Sequence, residues 1–143
     1  MATMNLTQHA ATADQIAAGV VDLPAAARAD LQSLLTFGEL PDVQEILARA
    51  EQIAGMAALH ASAEDRADDD GALSVGDAGG FALHAMIGGA LWLMAPLAAA
   101  LREQGIEPVF AFSVRETEEQ KQEDGSVRKV AVFRHAGFVP AIA

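Results

Sequence analysis

Residues Met86–Met94 read MIGGALWLM, an apolar run interrupted by Gly88 and Gly89. The segment before the glycines has the length of a buried strand, and the segment after them is long enough to form a buried helix. The glycine pair is therefore predicted to lie where a strand passes into a helix. The residues alone leave two interpretations of this junction open. It is a tight packed turn, or it is a place where a backbone without Cβ atoms meets a ligand.

Strands and helices are predicted to alternate on both sides of this junction. Before it come a strand ending near Thr7, the short helix ADQIAAG, a β-branched strand at VVDLP, and two helices within residues 24–38 and 41–61. After it come an apolar helix that contains Pro96, the strand IEPVFAFSVRE and, across the turn EDGS, the strand VRKVAVFRHAGFV. This order predicts an α/β fold: a single Rossmann-like domain with a mostly parallel sheet, helices on both faces and a C-terminal antiparallel β-hairpin.

One domain accounts for all 143 residues. The segment SAEDRADDDGALSVGDAGG, residues 62–80, is acidic and rich in glycine. We expect it to be an exposed loop rather than a domain boundary, because neither flank alone carries enough apolar residues for its own core.

The net charge of the chain limits the classes of molecule that it is expected to bind. The chain carries 20 acidic and 9 basic residues, a formal charge of −11. Binding to long nucleic acids draws most of its affinity from clustered lysine and arginine, so we expect no such partner. A small anionic ligand held in one local pocket is compatible with this charge.

Cysteine is absent, which excludes disulfides, zinc–thiolate sites and cysteine nucleophiles. The histidines and carboxylates show no ligand spacing typical of a metal site, so neither a metal nor a cofactor is predicted.

Residues 81–101 are long enough to cross a bilayer, but Gly88-Gly89 and Pro96 interrupt them and no basic cluster flanks them. The N-terminus lacks the features of a signal peptide. We expect a cytoplasmic protein that does not enter the membrane.

Ligands of open α/β sheets bind beyond the carboxyl ends of the strands, where the strand order reverses. Three segments are predicted to lie at this edge: Thr7–Thr12, Gly88–Gly89 and Ser113–Arg115. A helix that begins after the glycines would turn its free N–H groups toward an anion. In the first segment, His9 has a side chain that can act as an acid or base near neutral pH.

The register of the hairpin determines which side chains share a face. A two-residue turn pairs Val114 with His135. A three-residue loop with a left-handed Gly125 pairs Ser113 with His135 and places Arg115 on their side of the sheet. The sequence leaves both registers open.

The second half of the chain, residues 85–141, resembles the small accessory ring nucleases of type III CRISPR systems, relatives of the CRISPR-associated Rossmann fold (CARF). The resemblance lies in MIGGALWLM, in GIEPVFAFSVRE and in the hairpin EDGSVRKVAVFRHAGF, most particularly in its run FRHAGF. At the start of the chain, NLTQHAAT looks like the first strand of that group with its polar end.

This resemblance implies a CARF-like homodimer that binds cyclic oligoadenylate in a shared pocket. It implies cleavage of the ring by a ribose 2′-hydroxyl without a metal, which would switch off antiviral signalling. The residues expected to bind the ring are Thr7, Gln8, Thr12, Gly88, Gly89 and Ala90. The residues expected to take part in catalysis are His9, Ser113, Arg115 and His135. Arg115 would offset charge that develops on the phosphate, and His135 would assist proton transfer or brace the hairpin.

Two alternatives accompany this expectation. The protein binds the cyclic nucleotide without cutting it, as a sponge or sensor. Otherwise it is a protein-interaction or adaptor domain that uses the apolar helix at residues 90–104 as its interface.

Overall fold

The computed structural model describes residues 2–68 and 83–142. The strands are β1 (Thr3–Leu6), β2 (Val20–Asp22), β3 (His84–Ile87), β4 (Glu107–Lys121) and β5 (Val127–Pro140). The helices are α1 (Ala13–Ala17), α2 (Ala25–Leu35), α3 (Val43–Asp68) and α4 (Leu91–Glu103). The strands form one sheet in the order β2-β1-β3-β4-β5.

The predicted α/β fold class is confirmed. Strands β1 to β4 pair in parallel, and β5 runs antiparallel to β4 at one edge of the sheet. Helices α2, α3 and α4 pack on one face, where most of the buried side chains form a single cluster. The short helix α1 lies on the other face, beside a smaller cluster of Val20, Met86 and Val109. The arrangement is consistent with a Rossmann-like fold.

Helix α4 supplies much of the main core. Its buried residues are Leu93, Met94, Leu97, Ala98, Ala100 and Leu101. Small alanines of α3, among them Ala50, Ala54 and Ala57, are buried in the same cluster, which allows the two helices to approach closely. The helix continues through Pro96, so no second helix begins there. Most of the apolar surface required by the adaptor alternative is therefore used inside the protein. Within the two described ranges, no helix is long and apolar enough to cross a membrane.

Helix α2 ends at Leu35, before the glycine at position 38 that the sequence suggests as its stop. The guanidinium of Arg49, on α3, donates hydrogen bonds to the carbonyls of Leu34 at 3.2 Å and Thr36 at 2.6 Å. The same group lies 4.2 Å from the centre of the Phe37 ring. A residue distant in sequence thus satisfies the last carbonyls of α2, which need a donor from outside the helix.

Helix α3 corrects the prediction of an exposed loop at residues 62–80. It continues to Asp68, so the first seven residues of that segment are helical. The physical reason is that neither glycine nor proline interrupts the sequence between Gly55 and Gly71. The rest of the predicted loop lies outside the described residues.

The hairpin adopts the three-residue-loop register. Ser113 pairs with His135, and Gly125 has a φ of 87°. The backbone N–H of Ser126 donates to the Asp124 carboxylate at 2.9 Å, and its hydroxyl donates at 2.6 Å. These bonds hold the pKa of Asp124 below its ordinary value, so the turn favours the ionised carboxylate.

The hairpin extends far beyond the sheet. Strand β3 pairs with β4 only as far as Val109, whereas β4 and β5 remain paired to Lys121 and Val127. We call residues 111–136 the ribbon. A bulge on β5 opposite Phe112 and Ser113 marks its base, where the register shifts.

Candidate functional site

The carboxyl ends of β1 and β3 meet at an open cleft of about 670 Å³, beside Phe110 and Ala111 of β4. The chain leaves β1 toward β2 on one side and later returns as β3 on the other, so strand order reverses here. The residues that line the cleft are Thr7, Gln8, His9, Ala10, Thr12, Gln15, Met86, Ile87, Gly88, Gly89, Phe110 and Ala111.

The loop after β1 is organised by Asn5, which is only 3% exposed. Its amide nitrogen donates to the carbonyl of His9 at 2.8 Å and to the carboxylate of Asp22 at 2.7 Å. Its amide oxygen accepts from the backbone N–H of Thr7 at 2.9 Å and from the Thr7 hydroxyl at 2.7 Å. One buried amide thereby fixes both ends of the turn that forms this wall of the cleft.

Asp22 completes this support from the end of β2. Besides accepting from Asn5, its carboxylate accepts from the backbone N–H of Ala11 at 3.1 Å. Sequence reasoning missed both Asn5 and Asp22. The available signal was an asparagine between the apolar residues of a predicted strand, because a polar side chain at such a position must find partners inside the fold.

Several side chains predicted to bind ligand already serve the protein's own structure. The Gln8 amide donates to the carbonyl of Leu35 at 3.4 Å and to the hydroxyl of Thr36 at 3.3 Å. Thr12 is the N-cap of α1 and forms a capping box with Gln15. These two residues therefore shape the wall of the cleft through contacts within the chain.

His9 differs from its neighbours in the loop. Its carbonyl accepts the bond from Asn5, while its imidazole makes no hydrogen bond with the described residues. The residue is exposed and lines the cleft. An imidazole in this setting is able to exchange a proton with a bound molecule.

The glycine pair forms the adjoining wall and leads into α4. A Cβ atom added to Gly88 would lie 3.5 Å from Cγ2 of Thr7, so the two walls are in close contact. Gly89 has a φ of 134°, which side-chain-bearing residues rarely adopt. The junction is thus both a tight turn and a wall of an open cleft.

Neither a capping side chain nor an acidic residue offsets the partial positive charge at the N-terminus of α4. Ala90 is its N-cap and provides no side-chain hydrogen bond, and no acidic residue lies in the first turn. The backbone N–H groups of Leu91 and Trp92 donate to no acceptor among the described residues. A helix end in this state carries a partial positive charge and attracts an anion.

A matched pair of glycine-to-alanine substitutions tests the strained turn. We expect Gly89→Ala to lower the free energy of unfolding by about 1–2 kcal/mol, because alanine pays a steric cost at this φ. Gly55→Ala, at an exposed position of α3 with open space around it, should raise it by about 0.5–1 kcal/mol. Urea unfolding of both variants checks the prediction, and equal effects at the two positions would contradict it.

The remaining predicted residues lie outside the lining. Ser113 and Arg115 are on the ribbon, on the face that also carries Ala111. At roughly 3.3 Å per residue, Arg115 lies about 13 Å along β4 from Ala111. Ala90 is the N-cap of α4 and is not a lining residue. The structure therefore brings together six of the predicted residues: Thr7, Gln8, His9, Thr12, Gly88 and Gly89.

His135 packs within the hairpin. Its ring centre lies 4.7 Å from that of Phe138, and both ring nitrogens are buried without a hydrogen-bond partner. This environment favours the bracing role over proton transfer, since neither nitrogen contacts solvent or another polar group. Among the side chains of residues 2–61 and 83–142, no group of three histidines, aspartates or glutamates is arranged to hold a metal ion.

Comparison with known protein families identifies the chain. The family model described as "Uncharacterized protein MJ1673 family" matches residues 1–139. Because the match spans nearly the whole chain, the chain belongs to the MJ1673 family. No curated protein and no solved structure matches it.

Proposed function

We propose that this member of the MJ1673 family binds a cyclic oligonucleotide, cyclic oligoadenylate first among them, in the cleft at the carboxyl ends of β1 and β3. Two copies share the ring. The observation that carries the proposal is the convergence on one cleft of the Thr7–Thr12 loop and the Gly88–Gly89 pair, which leads directly into the N-terminus of α4. The resemblance of residues 85–141 to ring nucleases supports the choice of ligand.

A phosphodiester of the ring fits the end of α4. The two glycines leave room beside the backbone, and the free N–H groups of Leu91 and Trp92 are hydrogen-bond donors for its oxygens. The helix dipole adds to this attraction because no carboxylate in the first turn offsets it. Met86, Ile87 and Phe110 offer apolar surface for a base on the same lining.

The cleft is lined by uncharged side chains, which suits a small anionic ligand better than a long polyanion. None of the described residues that line it is lysine, arginine, aspartate or glutamate. Backbone and helix dipoles therefore offset the ligand's charge, and the predicted Arg115 lies about 13 Å along β4 from Ala111. Few ion pairs form on binding, so we expect the affinity to change little with salt concentration.

Cleavage is the further step that the resemblance suggests. The ribose 2′-oxygen bonds to phosphorus, the bond to the 5′-oxygen breaks, and the product carries a 2′,3′-cyclic phosphate and a 5′-hydroxyl. His9, with its unpaired imidazole at the cleft, suits the acceptance of the 2′-hydroxyl proton and its return to the departing 5′-oxygen. Arg115 would stabilise the charge on the phosphorane oxygens.

Binding without cleavage is the second candidate. It is favoured by a specific observation, since Ser113, Arg115 and His135 are not among the lining residues of one protomer. A protein of this kind would act as a sponge that withdraws the cyclic nucleotide from its other receptors.

Incubation with cyclic tetra-adenylate and cyclic hexa-adenylate, followed by chromatography, distinguishes these outcomes. Intact ligand that elutes with the protein indicates the sponge, and a linear product with a cyclic phosphate end indicates the nuclease. Arg115→Ala should then abolish cleavage while binding is retained. A ligand that neither elutes with the protein nor changes contradicts both candidates.

A further inference from the structure

The ribbon projects from the sheet with both faces uncovered by the described residues. Phe112 is 54% exposed and Val114 is 44% exposed on one face, and Phe133 is 70% exposed on the other. A two-stranded hairpin is marginally stable by itself in water, and it gains stability when a hydrophobic face packs against a partner. The outer edges of its two strands also have no strand partner among the described residues, and such edges invite association.

One face of the ribbon continues the main core. Phe110 packs against the core cluster, and alternation along β4 puts Phe112 and Val114 on the same side. Across the ladder, Val132 and Val130 pair with Glu116 and Glu118 and share this side. We call Phe112, Val114, Val130 and Val132 the valine face. Helices cover the core up to the edge of the sheet, and the valine face extends past that edge.

The charges of the ribbon differ from those of the rest of the chain. Residues 111–136 contain five acidic and five basic residues, whereas the rest of the chain carries the whole net charge of −11. On the valine side, β4 contributes the carboxylates of Glu116 and Glu118. Strand β5 contributes Arg134, which pairs with both at 3.6 and 3.5 Å, and Arg128. A second acidic copy can therefore approach at the ribbon without net repulsion there.

We propose that the valine face is the interface between two copies of this chain. A twofold axis along the ribbon places β4 of one copy over β5 of its partner. Acidic side chains then lie over basic ones, and the apolar side chains meet between them. The ribbon is about 36 Å long at roughly 3.3 Å per residue.

The proposed function requires two copies of the chain to share one ring, and this interface is the surface through which they would associate. Phe110 and Ala111 line the cleft at the base of the ribbon. Ribbons related by an axis along their length point the same way, so both clefts lie at the same end of the pair. Only this placement of the two clefts rests on the proposed function. The dimer interface itself does not, because dimerisation is measured without nucleotide.

Sedimentation at several protein concentrations tests the pairing. The wild-type chain should be a dimer at micromolar concentration. Val114→Glu should weaken dimerisation at least about 100-fold, because symmetry buries the new carboxylate on both copies. Phe133→Glu, on the opposite face of the same ribbon, is the matched control and should change the dimer dissociation constant by less than about threefold. A monomeric wild type overturns the proposal, as does an equal effect of the two substitutions.

A second pair of variants covers the case in which Val114→Glu does not fold. The chain has no cysteine, so a single introduced thiol is unique. Val132→Cys on the valine face should give a covalent dimer with a short bismaleimide, and Ala131→Cys, its neighbour on the opposite face, should not. Cross-linking at position 131 alone, or at neither position, contradicts the proposed interface.

Discussion

Asn5→Ala should lower the free energy of unfolding by about 3 kcal/mol. This value is at the upper end of the range for the loss of a hydrogen bond to a charged group. The substitution removes an amide that is bonded to His9, Asp22 and Thr7. It leaves the carboxylate of Asp22 and the N–H of Thr7 short of a partner in a part-buried setting, and unpaired polar groups are costly there. Urea unfolding followed by circular dichroism measures the loss.

Gln8→Ala is the matched control in the same loop. Its side-chain bonds, at 3.4 and 3.3 Å, are long, so their removal should cost less than about 1 kcal/mol. Because Asn5 holds the turn that forms the wall of the cleft, Asn5→Ala should also weaken ligand binding at temperatures at which the chain remains folded. A loss of stability no larger than that of Gln8→Ala would contradict the role assigned to Asn5.

Gly88→Val is expected to weaken binding of the cyclic nucleotide by about 10- to 100-fold, the loss of one or two hydrogen bonds to a charged group. Gly88 does not have a left-handed φ, and a Cβ there meets Thr7 at an ordinary contact distance of 3.5 Å. The fold should therefore persist. The two γ-methyl groups, however, occupy space in front of the N-terminus of α4, where the phosphate would bind. Titration calorimetry measures the affinity, and urea unfolding checks the fold.

Gly38→Val is the control for this substitution. A Cβ at that position meets nothing within 4 Å, and the residue is not among those that line the cleft. Its affinity for the ligand should equal that of the wild type. If Gly88→Val also retains full affinity, the phosphate does not bind at the glycine pair.

The positions of two cleft walls followed from the sequence. Polar residues after β1 and glycines after β3 both come directly after the end of a parallel strand, and the carboxyl ends of such strands meet at one edge. Gly125 is compatible with the observed three-residue loop through its left-handed conformation. These features depend on local patterns of a few residues, which the sequence displays directly.

Other features depend on contacts between distant residues. The prediction placed Ser113 and Arg115 at the edge of the sheet, but β4 continues past its last pairing with β3 at Val109. Alternation along a strand does not show where a neighbouring strand stops. Likewise, Arg49 on α3 satisfies carbonyls at the end of α2, and no pattern within α2 contains that information.

Titration calorimetry of the wild-type chain with cyclic tetra-adenylate tests the central claim most directly, with cyclic hexa-adenylate in a parallel titration. Manganese, magnesium and other divalent ions are left out so that only the chain and the ring are present. The proposed site predicts saturable binding of at least one of the two cyclic nucleotides, with a stoichiometry of one ring per two chains. The affinity should change little between low and physiological salt. The absence of saturable binding of either ring would contradict the assignment of the cleft as a cyclic-nucleotide site.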